Sequence, residues 1–207
     1  MKIKYIIAII TFVSCTGLAQ ELLTSVTWNI GIPVSKTNEF TTDVTYRGFS
    51  FQGRRFFDKY NTLGLSFGWE IFDEKAYDPI NINYGTASGT ISGTQVRTIN
   101  SFPILIGFDR FFGKQNDIRT FIGVNTGVYY ILQRLNIGVY QLDNDNWHFG
   151  LAPEGGVIVP IEGETGLYIG ARYNYAFDSG TALGGAENNF YSYWELNLGL
   201  SFSSRWF

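Results

Sequence analysis

The chain has 207 residues, 15 Lys plus Arg against 18 Asp plus Glu, a formal net charge of -3, 17% aromatics and 24 glycines. That length holds one domain or at most two small ones, the low charge and many rings exclude a disordered chain, and the weak negative balance excludes a reader of nucleic-acid backbones, which needs a dense basic face. One Cys and one His exclude a disulfide framework, a multi-cysteine site and every His-pair zinc or iron motif within one chain, so neither a metal nor a cofactor is expected.

The first predicted element is a leader over residues 1–19. Lys2 and Lys4 open it, an apolar run covers 5–13, and small or weakly polar residues lead to Gly17, Leu18 and Ala19. This is the layout of a secretory signal peptide cleaved after Ala19. The apolar run is too short for a membrane helix, which needs ~20 residues. Cys15 follows Phe-Val-Ser, a poor match to the pattern before a lipidated bacterial cysteine. Two alternatives stay open: a lipid anchor on Cys15 and a buried N-terminal helix. Cleavage after Ala19 removes the only Cys and the only Met and leaves one domain, 20–207.

From there the period is two, the mark of strands with two unlike faces. Val26, Trp28, Ile30, Ile32 and Val34 alternate with Thr27, Asn29, Gly31 and Pro33. Residues 44–57 set Phe49, Phe51 and Phe57 opposite Ser50, Gln52 and Arg54. Leu63, Leu65, Phe67, Trp69 and Ile71 alternate with Gly64, Ser66, Gly68 and Glu70. Phe102, Ile104, Ile106 and Phe108 alternate with Pro103, Leu105, Gly107 and Asp109. Residues 118–132 set Ile122, Val124, Val128 and Tyr130 opposite Gly123, Asn125 and Gly127. Residues 147–160 set Phe149, Leu151, Val157 and Val159 opposite Gly150, Ala152, Glu154 and Gly156. Leu167, Ile169, Ala171, Tyr173 and Tyr175 alternate with Tyr168, Gly170, Arg172 and Asn174. Trp194, Leu196, Leu198, Leu200 and Phe202 alternate with Glu195, Asn197, Gly199 and Ser201.

The gaps between these segments alternate in length. Those at 35–43, 73–97, 133–146 and 178–190 are long or moderate; those at 58–62, 113–117 and 161–165 are short. All short turns then fall on one side, together with both chain ends. A soluble sandwich turns its bulky apolar faces towards one another. Here the bulky face stands against a face of Gly, Ser, Asn and a few charges, which describes a membrane barrel with its large residues outside. A closed sheet pairs every backbone group at membrane depth without a helix. The predicted fold is all-β, an eight-stranded antiparallel up-and-down transmembrane barrel, with a secreted β-sandwich as the alternative. Rings gather at two levels, as interfacial girdles do. Phe56, Phe57, Tyr60, Phe111, Phe112, Trp206 and Phe207 lie near the short turns; Tyr129, Tyr130, Tyr173, Tyr175, Tyr191, Tyr193 and Trp194 lie towards the long loops.

The last strand, with Asn197, Gly199, Phe202 and terminal Phe207, resembles the C-terminal signal read by the barrel assembly machinery, although Phe207 is on the opposite parity from Phe202. The segments 61–69, 102–112 and 147–160 resemble the small outer-membrane β-barrel "porin family" proteins common in the Bacteroidetes. The resemblance covers nearly the whole mature chain and rests on diffuse patterns rather than invariant residues. It implies a place in the cell outer membrane, with termini and short turns in the periplasm. It implies as partners the lipid bilayer with its lipopolysaccharide, the assembly machinery during insertion, and in some settings a larger outer-membrane complex. Members of that family mostly lack an assigned activity.

An eight-stranded interior is just wide enough for side chains to fill. The inward set includes Gln52, Arg54, Glu70, Asp109, Asn125, Glu154, Arg172, Asn174, Glu195 and Asn197. Glu154, Arg172 and Glu195 fall on successive strands, so one network with Arg172 between two carboxylates is expected, and Arg54 and Asp109 are expected to pair nearer the short turns. Two carboxylates beside an arginine are also compatible with acid–base chemistry, but a charged filling needs no substrate. His148 lies beside Trp147 and Phe149 and is read as a surface or girdle residue; no serine stands at a spacing that makes a triad with it. Arg134, Asp143 and Asp145 read as a solvated loop face. The longest loop region, 73–96, with its Gly/Thr/Ser-rich stretch 84–98, can extend a hairpin beyond the membrane, and with 181–189 it is the best candidate for contact outside the cell. The expected function is a structural, accessory or binding barrel with no chemistry of its own. The alternatives are a narrow conduit for small or apolar solutes and a lipid-modifying enzyme, a lipid A hydrolase or acyltransferase.

Overall fold

Alternating β-branched and aromatic residues give the strands two faces, and hydrogen bonding closes them into a ring. The computed structural model describes residues 21–204 apart from 78–79, 85–86, 92, 115–116, 181–182 and 184–188; at 80–84, 87–88, 90–91 and 204 it describes the backbone alone. The expected leader, Cys15, Trp206 and Phe207 lie outside the described residues. In chain order the elements are β1 (Leu22–Val34), α1 (Ser35–Phe40), β2 (Thr45–Phe56), β3 (Asn61–Ala76), β4 (Ile80–Tyr84), β5 (Ala87–Ile91), β6 (Gln95–Phe112), β7 (Arg119–Ile137), β8 (Tyr140–Glu162), β9 (Thr165–Ala176) and β10 (Tyr191–Ser204).

Eight of these strands form a closed barrel in the order β1-β10-β9-β8-β7-β6-β3-β2, and β4 and β5 make a separate two-stranded sheet. All pairings are antiparallel. Closure is made by β1 and β10, paired without a break from Leu22↔Ser204 to Val34↔Ser192. A closed ring leaves no sheet edge at membrane depth, where each unpaired backbone group costs several kcal/mol. Among the described residues no helix is long and apolar enough to cross a membrane.

The outer face carries the bulk. Val26, Trp28, Phe51, Leu65, Ile106, Val124, Leu151, Ile169 and Leu198 are all exposed. Near the long connections the outward rings touch from strand to strand: Phe49–Trp69 at 6.0 Å, Trp69–Phe102 at 5.6 Å, Phe102–Tyr130 at 6.1 Å and Tyr130–Trp147 at 5.1 Å between centroids. Phe149–Phe177, Tyr175–Phe177, Tyr175–Phe190, Tyr173–Trp194 and Trp28–Tyr46 continue the belt round the barrel. At the other end Phe57 meets Phe108 at 6.0 Å, and Tyr60 and Phe112 are exposed beside it.

Three expectations need correction. The gap 133–146 is strand: β7 and β8 stay paired to Ile137↔Tyr140. Its polar composition suggested a loop, but Leu135 and Ile137 keep the inward alternation, and Gly138 at φ +58° supplies the left-handed residue that a two-residue turn needs. The inward lean of five rings is the second. Phe56, Phe111, Tyr129, Tyr191 and Tyr193 sit near the aromatic levels but are buried inside the barrel, because strand parity decides direction whatever the height. The third is His148, an inward residue only 1% exposed; it shares the face of Gly150, Ala152 and Glu154, so it belongs to neither surface nor girdle.

Beyond the belt the wall is uneven. β3, β6, β7 and β8 run on from Trp69, Phe102, Tyr130 and Trp147 to Ala76, Gln95, Ile137 and Tyr140, whereas β9 stops at Ala176. Arg134 and Asp143 pair across this extension at 2.9 Å, and Arg47 and Asp73 pair at its other flank at 3.0 Å. α1 lies over the mouth: Thr37 is buried and its Oγ1 accepts from the Ser192 N–H at 2.8 Å, and Phe40 packs on the upper core.

Candidate functional site: the filled lumen

Inward side chains stack in three layers. The lowest is aromatic, made of Leu23, Phe56, Phe111, Phe121, Ile158 and Tyr168. Its rings are in contact, Phe56–Phe111 at 5.1 Å, Phe111–Phe121 at 5.2 Å and Phe121–Tyr168 at 5.5 Å. A guanidinium lies against it from either side. Arg119 is 4.5 Å from the Phe56 centroid and pairs with Glu21 at 3.0 Å. Arg54 is 4.9 Å from Phe121 and 5.5 Å from Tyr168. Ring faces attract such cations, and more so away from water.

The middle layer is ionic. Arg54 donates from Nε to Asp109 Oδ2 at 2.8 Å and from Nη2 to Glu154 Oε1 at 2.7 Å. Arg172 donates from Nε and Nη2 to the other oxygen of Glu154, at 2.9 and 2.7 Å, and its Nη1 lies 3.7 Å from Glu195 Oε1. The register sets Arg172 directly opposite Glu154 on one side and Glu195 on the other. Asn174 and Asn197 each donate to Glu195 at 2.8 Å. Glu70 has a neutral donor, Asn29 Nδ2, at 2.8 Å from Oε1. Its carboxyl fills the space over Gly48, where a Cβ would come within 2.1 Å of it. Each charge is thus bonded, as buried charges must be.

The upper layer is apolar again: Phe72, Ile99, Leu105, Tyr129, Ile131, Ala152, Ala176, Tyr191 and Tyr193. Its hydroxyls are used, Tyr129 donating to Asn174 at 3.0 Å and Tyr193 bonding Ser101 at 3.1 Å. His148 stands at its rim, edge-on to Tyr191 at 5.2 Å, with Nδ1 2.9 Å from the Phe177 carbonyl oxygen. That acceptor requires the proton on Nδ1; Nε2 has no hydrogen-bond partner among the described residues.

All ten residues read from the sequence as inward are buried. Sequence reasoning treated Glu154–Arg172–Glu195 and Arg54–Asp109 as two groups; Glu154 joins them. It also passed over Asn29, Glu21 and Arg119. Asn29 was on the polar face of the first alternating segment, so its parity alone could have marked it. Of the expected girdle residues, Tyr130 lies in the belt with its hydroxyl 3.1 Å from Asp145 Oδ2, Tyr175 and Trp194 lie in the same belt, and Phe57, Tyr60 and Phe112 lie at the opposite level. Phe207 is outside the described residues. Among those residues no three His, Cys, Asp or Glu side chains gather into a metal-binding group.

No family model matches this chain. No curated protein matches it either. Solved structures do. The attachment invasion locus protein Ail of Yersinia pestis, solved with the heparin analogue sucrose octasulfate, superposes with a TM-score of 0.51 at 9% identity, covering 90% of this chain and 100% of that one. A second structure of Ail gives 0.50 at 10% identity with the same coverage. The outer membrane protein OprG of Pseudomonas aeruginosa gives 0.49 at 10% identity, covering 90% and 96%. This chain has the fold of the small outer-membrane barrels. Identities this low carry the architecture and nothing of the activity.

Proposed function

We propose that this protein is an outer-membrane barrel that acts as a structural, accessory or binding element through its outward surfaces, with no chemistry of its own. The observation that carries the reading is the filled lumen: an ionic layer closed above and below by packed apolar layers. A solute path would have to part both apolar layers and break ion pairs between residues that are almost fully buried. This speaks against a conduit for small or apolar solutes. Against a lipid hydrolase or acyltransferase stands His148: Nδ1 is taken by a backbone carbonyl, and among the described residues no serine hydroxyl bonds Nε2.

The finer reading is membership of the Bacteroidetes-type small barrels. It draws on segments 61–69, 102–112 and 147–160, with a leader over 1–19 and both termini in the periplasm. Lipopolysaccharide then surrounds the aromatic belt, and the extension of β3, β6, β7 and β8 is the surface offered to other molecules.

Reconstitution into planar bilayers tests the central claim. Purified barrel should give no discrete conductance steps; regular steps that scale with salt would refute it. Outer-membrane fractionation, with a heat-dependent shift in gel mobility, tests the location, and release into the soluble fraction would reject it.

A further inference from the structure

Within the ionic layer, β2, β3, β6 and β7 line a small cavity with about 10 Å³ of room for the centre of a water molecule. Its polar lining is Asn125 and four further side chains, Gln52, Arg54, Ser66 and Asp109. Gln52 and Ser66 are directly opposite in the β2–β3 register, and Arg54 is opposite Gly64. Gly64 and Gly107, paired across β3 and β6, line it without a side chain, and Arg54 and Asn125 lie over them. A Cβ at Gly64 would come within 3.0 Å of Arg54 Cγ, and one at Gly107 within 2.1 Å of Asn125 Oδ1.

The same four side chains hold five buried polar atoms with no hydrogen-bond partner: Gln52 Nε2 and Oε1, Arg54 Nη1, Ser66 Oγ and Asp109 Oδ1. Two of these are donors, two are acceptors, and the hydroxyl is both. All four residues are nearly fully buried. A buried polar group without a partner costs about 1–3 kcal/mol, so several around one small hole define a demand for a ligand that both gives and takes hydrogen bonds. A metal ion would meet the Arg54 guanidinium and the amide N–H groups. An anion would meet the Asp109 carboxylate. A neutral water, with two protons and two lone pairs, suits the mixed set, and a hole of roughly 10–15 Å³ holds one.

We infer that this cavity is a structural hydration site: a single water ties Gln52 on β2 and Ser66 on β3 to the Arg54–Asp109 ion pair. It completes the polar layer beside the Gly64–Gly107 pair. Apolar layers above and below shield it, so its exchange with bulk water is slow.

Crystals grown in rubidium chloride and diffracting well enough to show ordered waters would test this. The expected result is one peak, without anomalous signal, within hydrogen-bond distance of at least three of Gln52, Arg54, Ser66 and Asp109. An anomalous peak there would make the ligand a cation and overturn the proposal. So would a Gln52 amide bonded directly to Ser66 or Asp109 with no peak between them. In detergent micelles, a slow-exchange magnetisation transfer from water to the Gln52 side-chain amide should appear in the wild type and vanish in Ser66→Val, whose extra methyl groups occupy the hole. A signal retained in a folded Ser66→Val barrel would assign that water elsewhere and count against the site.

Discussion

Glu154 accepts from two guanidiniums, Arg54 through one oxygen and Arg172 through the other. Glu154→Gln leaves both cations short of charge in a layer shielded from bulk water. Loss of one partner from a buried ion pair costs about 3–5 kcal/mol, so urea unfolding of the refolded barrel in micelles should show a loss of that size. Asp58 behaves differently because it sits in the β2–β3 turn, in solvent. The Asn61 side chain, then the backbone N–H groups of Tyr60 and Asn61, hold its carboxyl below the ordinary aspartate value of ~3.9. Its support for the turn is therefore complete above that value and is lost as pH falls through the lower folded value. Carboxyl NMR should show Asp58 titrating below a model aspartate, with the Tyr60 amide shift following the same curve. The residue scale also shows where sequence reading stops. Glu154, Arg172 and Glu195 could be grouped because they share a parity on neighbouring strands. The Arg54–Glu154 bond could not, because β2 and β8 lie four strands apart in either direction and meet only through the lumen. His148 was legible by parity, but its ring neighbours Trp147 and Phe149 drew it to the surface instead.

Strands were readable wherever large apolar residues marked one face, as along Leu63–Trp69 and Trp194–Phe202. They were lost where the outer face turns polar. The β7–β8 extension reads as loop because Arg134, Asn136, Gln141 and Asp143 dominate it, although Leu135 and Ile137 continue the inner face. Height was legible for the rings and direction was not, which is why Phe56 and Phe111 were grouped with Phe57 and Phe112. The hairpin makes its own prediction. Gly138→Ala puts a side chain at φ +58°, a left-handed position that costs roughly 1–2 kcal/mol for an L-residue. Hydrogen exchange at Arg134 to Gln141 should speed up, while amides between Gly123 and Val128 stay protected, because the belt and membrane-level pairing are untouched. Gly138→Asn should have a smaller effect, since Asn tolerates that conformation.

On the scale of the whole molecule, closure and filling act together. The β1–β10 seam removes the sheet edge, and the three lumenal layers remove the pore. The barrel should thus unfold as one unit, since opening the seam exposes the ionic layer at the same moment. Tryptophan fluorescence and lumenal amide exchange should report one common urea midpoint; separated midpoints would mean that wall and filling come apart independently. The uneven wall beyond the belt has a different consequence. A cylinder with a level rim looks the same from every direction in the membrane plane. In this one β3, β6, β7 and β8 rise beyond the belt as a raised screen, and β9 ends at Ala176. The molecule therefore has a marked quarter: a neighbour drifting sideways on that side meets a charged palisade of paired strands. Whatever docks there arrives with its azimuth already chosen.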